Sequence, residues 1–468
     1  MGLENNGWGE VRNPADTSEV VGTYPLMGGG DVDAAVEAAG KAQREWAARP
    51  ALERAAVLAG AADRLAAVAG LDELLIREQG KVAWEAAFEV GFFEALSTYY
   101  AEMATRLDEG ELVVDDGMGQ VRVFLEPVGV VGAITPWNWP FALTAVKLVP
   151  ALLAGNALVV KPASNTPLTV TRAVEAIADL FPTGLLSVVT GPGATVGRRL
   201  LEHPLVRKVS LTGSTETGRS AAATAGQTVK NLTLELGGND AALVLDDCEI
   251  TEGLCGNLVA GAFTTTGQLC FGIKRVYAPR TKADELAEGL AAILDQYVVG
   301  NGLQPGVSMG PLNNAAQRDF VAELVADAEQ RGGQVRRCGE LAADPEQGYF
   351  LRPAVVTGLD DSARLVAEEQ FGPALPVLGY DSLDEAIDRV NASEFGLTSS
   401  IWTADEERAV GLARRIEAGT TFVNNHGLFA LDLNGPFGGV KQSGVGRELA
   451  LPGLAAYTEP HTISTRHL

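Results

Sequence analysis

Cys270 is the residue of this sequence whose type and setting first suggest chemistry. It lies in the stretch FTTTGQLCFGIKR, after a Gly–Gln pair and just before Lys274 and Arg275. Such a cysteine is a buried apolar side chain, half of a disulfide, a metal ligand or a nucleophile. The chain has four cysteines and four histidines, and no C-x-x-C pair or metal-ligand spacing joins them. The sequence therefore predicts no metal site and gives little support to a structural disulfide.

Four other short stretches carry polar or small residues where a site could form. Asn138 stands in TPWNWP between two tryptophans and two prolines, which make a rigid turn. Glu235 ends a strand pattern in LELGG, and Glu369 precedes an aromatic residue in EEQFGP. TGSTETG (212–218) offers small residues for close approach to a phosphate at a helix N-terminus, although it is not G-x-G-x-x-G. Each feature alone is more typical of a plain turn or a solvated charge.

The composition excludes several classes of protein. The 468 residues are 46% hydrophobic and 21% charged, which is enough for two or three globular domains. A formal net charge of −24 argues against nucleic acid and against anionic membranes as partners. No apolar run approaches the ~20 residues that span a bilayer, and the N-terminus lacks a leader pattern. We therefore expect a cytoplasmic protein.

The elements that must position these residues alternate along the chain. Residues 32–106 repeat apolar side chains at three- and four-residue intervals, which predicts helices. ELVVDDGMGQVRVFLEP (111–127) predicts a hairpin. From about 130 to 240, and again from 241 to 450, short apolar strands alternate with helices, which indicates βαβ units on parallel sheets. The tail HTISTRHL is expected to be an edge strand with no sheet of its own to join.

Taken as a set, the motifs resemble those of the aldehyde dehydrogenase superfamily. PWNWP, KPAS, TGSTETG, LELGG, GQLC, EEQFGP and PFGGVKQSG follow the family's order, and the resemblance runs from Val11 to Ile463. It implies an α/β fold of two Rossmann-like parallel-sheet domains plus a small β oligomerisation domain. The expected ranges are 1–109 with 127–235 for the cofactor-binding domain, 236–445 for the catalytic domain, and 110–126 with 446–468 for the oligomerisation hairpin and tail.

The resemblance implies an NAD- or NADP-dependent oxidation of an aldehyde to the acid, with three catalytic residues. Cys270 would attack the aldehyde carbon as a thiolate, since a thiol is a poor nucleophile. Asn138 and the backbone N–H of Cys270 would donate to the resulting oxyanion. Loss of hydride to the nicotinamide would leave a thioester. Glu235 would activate the water that hydrolyses this thioester, helped by a pKa raised through partial burial.

The same resemblance implies the residues that bind the cofactor. Lys161 would bind the adenosine ribose, Ser214 the pyrophosphate and Glu369 the nicotinamide ribose. Ser164 stands where NAD-preferring members often carry a glutamate. Because serine does not repel a 2′-phosphate, we expect NADP to be accepted at least as well as by those members, the alternative being that NAD still wins. The full expected set is Thr135, Pro136, Trp137, Lys161, Ser164, Gly213, Ser214, Gly218, Leu236, Gly237, Glu369 and Phe371.

The aldehyde pocket is expected to be apolar and partly aromatic. Succinic-semialdehyde members carry an arginine at the position of Val146, where it holds a distal carboxylate, and valine cannot do so. Among the other aligned lining positions, only the weakly basic His426 could carry a positive charge. We therefore expect a hydrophobic aliphatic or aromatic aldehyde as the substrate. The expected lining residues are Trp139, Val146, Leu269, Phe271 and His426.

Three alternative functions stay open. A CoA-acylating semialdehyde dehydrogenase shares the fold, but such members generally lack the glutamate that Glu235 provides. A non-catalytic cofactor-binding protein would be free to lose Cys270, Glu235 or Asn138, and all three are present. A cysteine hydrolase would need a Cys–His pair, for which His426 is the candidate. In the family, the hairpin and the tail strand join a partner's sheet, and exposed strand edges invite such pairing, so we also expect a homodimer or homotetramer.

Overall fold

The computed structural model describes residues 7–466. The N-terminus, for which we expect no leader, and the last two residues of the tail lie outside the described residues. So do the outer ends of the domain ranges that start at residue 1 and finish at residue 468. Within residues 7–466, no helix is both long and apolar enough to cross a membrane.

The helices predicted for residues 32–106 are present, and the first is amphipathic. Its buried face contains Val32, Val36 and Trp46, which follow the helical repeat. The α-helices of the described chain are, in order, Gly29–Ala47 (α1), Ala51–Ala66 (α2), Leu71–Gln79 (α3), Ala83–Ala101 (α4), Thr105–Asp108 (α5), Pro140–Leu153 (α6), Leu168–Ile177 (α7), Arg198–Glu202 (α8), Thr215–Gly226 (α9), Glu252–Phe263 (α10), Ala283–Leu294 (α11), Ala315–Gln330 (α12), Arg364–Ala367 (α13), Leu383–Asn391 (α14), Glu406–Ala413 (α15) and Ala450–Ala455 (α16).

The strands begin earlier in the chain than the sequence pattern indicates, with an antiparallel hairpin ahead of α1. Most of its residues are only partly buried, so it lacks a clear apolar alternation. The strands are Trp8–Asn13 (β1), Asp16–Pro25 (β2), Glu111–Asp115 (β3), Gly119–Pro127 (β4), Val130–Ile134 (β5), Ala157–Lys161 (β6), Leu186–Val188 (β7), Val206–Thr212 (β8), Asn231–Glu235 (β9), Asp240–Val244 (β10), Ile273–Pro279 (β11), Val298–Val299 (β12), Gln334–Arg337 (β13), Glu340–Leu341 (β14), Ala354–Thr357 (β15), Ala374–Tyr380 (β16), Phe395–Gly396 (β17), Thr398–Trp402 (β18), Thr420–Val423 (β19), Val440–Lys441 (β20), Gly444–Val445 (β21) and Thr458–Arg466 (β22).

A six-stranded sheet carries the first set of predicted βαβ units. Its strand order is β21-β9-β8-β5-β6-β7, and all neighbours are parallel except β21 with β9. Strands β5 and β6 are buried almost throughout, as parallel strands covered by helices must be. The carboxyl ends of β5, β6, β8 and β9 therefore meet at one edge of the sheet. The last residues of these strands are Ile134, Lys161, Thr212 and Glu235.

A seven-stranded sheet carries the second set. Its order is β13-β15-β16-β11-β10-β18-β19, and β13 is the antiparallel strand at one edge. The sequence pattern does not single out β13, β15 or β18. In β18 the residues Thr398, Ser399 and Ser400 are all buried. This inner strand of the sheet therefore begins with a polar sequence, which does not predict a buried strand. The predicted α/β class, with two sheets dominated by parallel strands, is confirmed.

A separate three-stranded sheet joins the predicted hairpin to the end of the chain. The hairpin is confirmed as β3 and β4, and its order with the tail is β22-β4-β3. Strand β22 pairs with β4 along its whole length, from Thr458 opposite Pro127 to Arg466 opposite Gly119. This corrects the expectation that the tail has no sheet of its own to join. The pairing partners lie more than 300 residues apart, beyond the reach of a local pattern.

Candidate active site

Two of three adjoining cavities meet at Cys270. An apolar cavity of about 650 Å³, including its open mouth, and an inner polar cleft of about 690 Å³ share Cys270, Asn138 and Thr212 in their walls. The inner polar cleft continues past Trp137 and Ser214 into an outer polar cleft of about 1620 Å³. Cys270 therefore stands where an apolar chamber and a polar channel come together.

The turn ahead of Cys270 has a backbone conformation that most residues avoid. Thr265, Thr266 and Gly267 have φ angles of 52°, 60° and 74°, three left-handed residues in succession. A Cβ on Gly267 would lie 2.4 Å from the carbonyl oxygen of Gly372, so this position requires glycine. The Gly–Gln pair seen in the sequence thus belongs to a tight, strained turn that presents Cys270 to the cavities.

The surroundings of Cys270 disfavour its thiolate. Burial raises the pKa of the thiol, and the negative charges of Glu369, Glu235 and Asp240 raise it further. Lys274 opposes this rise, and its ammonium donates to two carbonyl groups of the same loop at 2.9 and 2.7 Å. In this arrangement the half-buried thiol carries its proton at neutral pH, so a nearby base must remove it before the sulfur can react.

The side chain of Asn138 contacts the Cys270 loop, and residues in and just before α4 support its backbone. Its side-chain amide donates to the carbonyl oxygen of Gln268 at 2.9 Å. The ammonium of Lys81 donates to the carbonyl oxygen of Asn138 at 3.1 Å and lies 3.8 Å from the ring centre of Trp139. Glu89 pairs with Lys81 and also accepts from the first free N–H groups of α6 at 2.7 and 3.1 Å. This buried network fixes the turn that carries Asn138.

Glu235 is a buried carboxylate without a hydrogen-bonding partner. It is 4% exposed, and neither of its carboxylate oxygens is bonded to any described residue. Burial raises its pKa well above the usual range, and the negative charge of Glu448 adds to the rise while Lys147 opposes it. Gly438, from the motif PFGGVKQSG, leaves room here, because a Cβ on it would lie 2.6 Å from a carboxylate oxygen of Glu235. The structure thus rules out a solvated strand end.

Lys147 and Glu448 form a buried ion pair beside Glu235 that the sequence analysis did not identify. The ammonium of Lys147 donates to Glu448 at 2.6 Å and to the hydroxyl of Thr212 at 2.7 Å. The hydroxyl of Ser210 also donates to Glu448, at 3.2 Å. The sequence feature that points to this ion pair is the single lysine in the apolar helix PFALTAVKLVPALL, because a buried charge needs a partner.

The inner polar cleft brings together the residues predicted for the nicotinamide end of a cofactor. One oxygen of Glu369 accepts from the N–H of Gly238 at 3.0 Å, and burial raises the pKa of this carboxyl to about 7. Phe371 meets Trp137 edge to face at 5.4 Å. A Cβ on Gly237 would lie 2.4 Å from the other oxygen of Glu369, so glycine keeps this part of the cleft open. Pro136 and Leu236 complete the wall.

The outer polar cleft lies at the carboxyl ends of the parallel strands, where nucleotides bind in folds of this type. Lys161 projects into it from the end of β6, and burial lowers the pKa of its ammonium to about 8. The hydroxyl of Ser214 accepts from the N–H of Thr217 at 3.2 Å and so caps α9, whose N-terminus faces the cleft. Arg198 also lines the cleft and was not predicted. The remaining predicted residues in its wall are Thr135 and Gly213.

The apolar cavity brings together Trp139, Val146, Leu269 and Phe271. Among the described residues, the charged side chains in its wall are those of Glu235 and Glu448, and no basic side chain lines it. The other apolar lining residues, which single motifs did not reveal, are Phe88, Phe92, Ala142, Leu143, Leu428, Leu431, Phe437 and Leu449. Two of them, Phe88 and Phe92, come from α4, which lies far from Cys270 in sequence.

The structure does not place His426 in the wall of the apolar cavity. Its imidazole is fully enclosed and lies 3.3 Å from the hydroxyl of Thr398 and 3.9 Å from the carboxylate of Asp240. Burial lowers its pKa to about 3, so the ring stays neutral at physiological pH. The loop that carries His426 does line the cavity, but through apolar residues two and five positions further on, Leu428 and Leu431.

Two predicted cofactor residues, Ser164 and Gly218, do not line the polar clefts. The hydroxyl of Ser164 donates to the carbonyl oxygen of Gly191 at 3.2 Å, and Ser164 is not part of the outer polar cleft wall. Gly218 is buried in α9, where a Cβ would lie 2.5 Å from the side chain of Leu236. Its glycine therefore permits close packing of the helix.

Comparison with known proteins agrees with this geometry. Residues 4–463 match the model of the aldehyde dehydrogenase family. The chain is similar to geranial dehydrogenase of Castellaniella defragrans, at 38% identity over 95% of this chain and 92% of the relative. It is also similar to glutarate-semialdehyde dehydrogenase of Pseudomonas putida, at 37% over 96% and 92%. The crystal structure of an E. coli NADP-dependent enzyme superposes with a TM-score of 0.95 at 33% identity, covering 100% of this chain and 96% of that one. The protein therefore belongs to the aldehyde dehydrogenase family, whose members oxidise aldehydes with NAD or NADP.

Proposed function

We propose that the protein oxidises a hydrophobic aldehyde to its carboxylic acid through a thioester on Cys270. The observation that supports this most strongly is the position of Cys270 at the junction of the apolar cavity and the inner polar cleft. A substrate in the cavity and a cofactor in the polar clefts would meet at this sulfur. Asn138 lines both cavities and Glu235 lines the apolar cavity, each with chemistry suited to one half of the reaction.

The first half of the reaction is addition of the Cys270 sulfur to the aldehyde carbon. A C–S bond forms, and the π electrons of the carbonyl group become an oxyanion. The thiol proton goes to the carboxylate of Glu369, whose raised pKa suits it to accept a proton, and Glu235 stays unprotonated for the second half. The side-chain amide of Asn138 and the backbone N–H of Cys270 donate to the oxyanion. Loss of one such donor typically lowers kcat by roughly 10²–10³.

The polar clefts fit a dinucleotide along their length. Lys161 would bind the adenosine ribose, and the N-terminus of α9 at Ser214 would hold the pyrophosphate. Glu369 would hold the hydroxyls of the second ribose, in the part of the cleft that Gly237 keeps open. When bound, the nicotinamide accepts the hydride whose loss converts the adduct on Cys270 to a thioester.

The second half of the reaction is hydrolysis of the thioester. Glu235 takes a proton from a water molecule, the water oxygen attacks the acyl carbon, and the C–S bond breaks to free the Cys270 thiolate. Both carboxylate oxygens of Glu235 lack partners among the described residues, so both can hold this water. A base placed here favours hydrolysis over transfer of the acyl group to CoA.

The cavity wall supports an apolar aldehyde over a semialdehyde. A distal carboxylate would lie in an apolar chamber whose charged groups, Glu235 and Glu448, carry the same sign. The position of Val146, where a semialdehyde-specific arginine would stand, is occupied by a hydrophobic side chain in the wall. The similarity to geranial dehydrogenase agrees with this substrate class, whereas the similarity to glutarate-semialdehyde dehydrogenase does not.

The function is tested by following reduced cofactor with a panel of aldehydes. We expect higher kcat/KM for octanal, phenylacetaldehyde and geranial than for succinic and glutaric semialdehydes. Cys270→Ala should abolish the signal, while Cys248→Ala, which changes a half-buried cysteine elsewhere, should retain it. A preference for the semialdehydes would overturn the substrate class. Acyl-CoA formed only on addition of CoA would favour the CoA-acylating alternative.

We further propose that NADP is accepted at least as well as by family members with a glutamate at the position of Ser164. No carboxylate occupies that position, and Lys161 and Arg198 both line the outer polar cleft. The comparison to make is kcat/KM for the two cofactors in the wild type and in Ser164→Glu. The variant should lose activity with NADP far more than with NAD. Undetectable NADP turnover by the wild type would contradict the proposal.

We also propose that three domains divide the functions of the chain. Ranges 1–109 and 127–235 would bind the cofactor, and range 236–445 would supply the catalytic cysteine. Ranges 110–126 and 446–468 would join copies of the chain in a homodimer or homotetramer. In support of this assembly, every residue of the edge strand β3 is exposed, including Leu112, Val113 and Val114.

A further inference from the structure

Helix α4 carries an aromatic stripe that runs from solvent to the apolar cavity. Trp84, Phe88 and Phe92 are spaced by four residues, which places them on one helix face over roughly 12 Å. Their exposure falls along the stripe, from 45% at Trp84 and 36% at Phe88 to a partly buried Phe92. Phe88 and Phe92 belong to the cavity wall. The stripe therefore leads outward from the cavity mouth.

The turn at residues 428–430 completes an aromatic rim with this stripe. Phe429 stacks on Trp84, with ring centres 5.7 Å apart and planes 22° from parallel. It meets Phe88 edge to face at 6.4 Å, and Phe88 in turn meets Trp139 at 6.2 Å. We name Trp84, Phe88 and Phe429 the aromatic rim. Because Trp139 follows Asn138 directly, the ring contacts connect the rim to the site of reaction.

Core packing does not account for the aromatic rim. Phe429 is 63% exposed, so it and Trp84 leave large apolar faces in water. Single exposed hydrophobic residues are common, whereas a cluster of aromatic rings continuous with a cavity marks a binding surface. The neighbouring Leu428 points into the cavity wall, so this one turn presents apolar side chains to both the chamber and its mouth.

We propose that the aromatic rim is a distal binding subsite for the hydrocarbon end of a long or bulky apolar aldehyde whose carbonyl lies at Cys270. This inference rests on the proposed function and adds that the preferred aldehyde has a long or bulky hydrocarbon part. The occupant is a medium- or long-chain alkyl, terpenoid or arylalkyl aldehyde, because only such a molecule reaches from the sulfur through the chamber to Trp84 and Phe429. Short aldehydes fill the chamber alone and gain nothing from the rim.

A chain-length series tests the subsite. The measurement is kcat and KM for butanal, hexanal, octanal and decanal with the wild type, Trp84→Ala, Phe429→Ala and the double variant. Trp8→Ala is the matched control, since it removes a 67% exposed tryptophan from β1. We expect wild-type kcat/KM to rise with chain length. On decanal the double variant should lose roughly tenfold or more, mainly through KM, and on butanal less than about twofold.

The outcomes separate the subsite from the proposed function. An equal loss on every aldehyde, or no loss on decanal, would overturn the subsite. If butanal is oxidised and the wild-type kcat/KM does not change with chain length, the subsite is contradicted and the proposed function stands. If the wild type oxidises no aldehyde, both are contradicted. Sedimentation of the variants tests the alternative that the rim contacts a second copy of the chain. If Trp84→Ala changes the oligomeric state, the rim is a contact between copies of the chain, and the subsite is overturned.

Discussion

At the scale of single residues, Glu235 is the carboxylate whose surroundings are best suited to catalysis. Its two oxygens have no partner among the described residues, and its neighbours Glu448 and Lys147 are already paired with each other. Glu235→Gln should therefore stop the reaction at the thioester. We expect one equivalent of reduced cofactor per site in a burst, followed by a steady rate roughly 10²–10⁴ lower than that of the wild type.

Rapid-mixing absorbance and intact-protein mass spectrometry together check this burst. The mass of the variant should increase by that of the acyl group after mixing with aldehyde and cofactor. A variant that turns over steadily at the wild-type rate would show that another group activates the water. Glu78→Gln serves as a control, because Glu78 is an equally buried carboxylate that instead caps α7, through the N–H groups of Leu168 and Thr169.

The raised pKa of Glu235 also predicts the direction of the pH dependence. Below that pKa the carboxyl keeps its proton and cannot accept one from water, so thioester hydrolysis should be slow. The rate should rise by about tenfold per pH unit and then level off above the pKa. The pKa of the Cys270 thiol is raised too, which pushes thiolate formation in the same direction. Single-turnover rates across acidic to alkaline buffers measure this, and a rate that falls as pH rises would contradict it.

Sequence motifs predict the proposed catalytic residues better than the residues that support them. Cys270, Asn138 and Glu235 each stand in a short motif, and all three line the apolar cavity. Lys147 and Glu448 do not stand out because they pair across 301 residues, and the carbonyl group that Lys81 donates to lies 57 residues away, at Asn138. For His426, the position on the correct loop predicts a residue that lines the cavity, but the structure places its side chain in the core, beside Thr398.

At the scale of elements, α4 holds the two loops that face each other across the site. Glu89 ties Lys81 to the start of α6 behind Asn138, while Glu85 accepts from the N–H of Thr265 in the strained turn before Cys270. The helix thus sets the distance between Asn138 and Cys270, the proposed oxyanion donor and nucleophile. These contacts are made by carboxylates one turn apart on the same helix face.

Glu89→Gln should lower kcat with little change in KM, because it loosens the turn that carries Asn138 without altering the cavity wall. Removing one charge of a buried pair also destabilises the fold by about 3–5 kcal/mol. Kinetics below the unfolding transition, with denaturant melts alongside, separate the two effects. Glu78→Gln again provides the matched control, and should change stability but not kcat. Equal loss of kcat in both variants would show that Glu89 acts through stability alone.

The alternation of strands and helices was enough to predict the parallel sheets, but not every strand in them. Apolar β6 stands out because a buried parallel strand typically has a continuous hydrophobic sequence. Strand β18 is equally buried but begins with Thr398, Ser399 and Ser400, whose hydroxyls are satisfied within the fold. The positive φ angles before Cys270 were likewise beyond local patterns, since Thr265 and Thr266 rarely adopt them.

At the scale of the whole molecule, the prediction that the chain forms an oligomer rests on the exposed edge strand β3. Val113, at the centre of β3, is 55% exposed, and Ile463 on the tail strand is 43% exposed. Val113→Asp should weaken association without unfolding the chain, because a charge opposes edge-to-edge pairing. Sedimentation velocity over a dilution series should show a smaller species for the variant than for the wild type. Val410→Asp, at a 59% exposed site on α15, is the control. A wild type that sediments as a monomer at every concentration would contradict the prediction.

Because the apolar cavity shares only Asn138, Thr212 and Cys270 with the walls of the polar clefts, each reactant has a cavity of its own. Either could enter first, so a compulsory binding order would have to come from electrostatics at the thiol and not from blocked access. The acid product can depart through the chamber while the nucleotide is still in its cleft. Inhibition by added acid should then compete with the aldehyde and leave the apparent KM for the nucleotide unchanged.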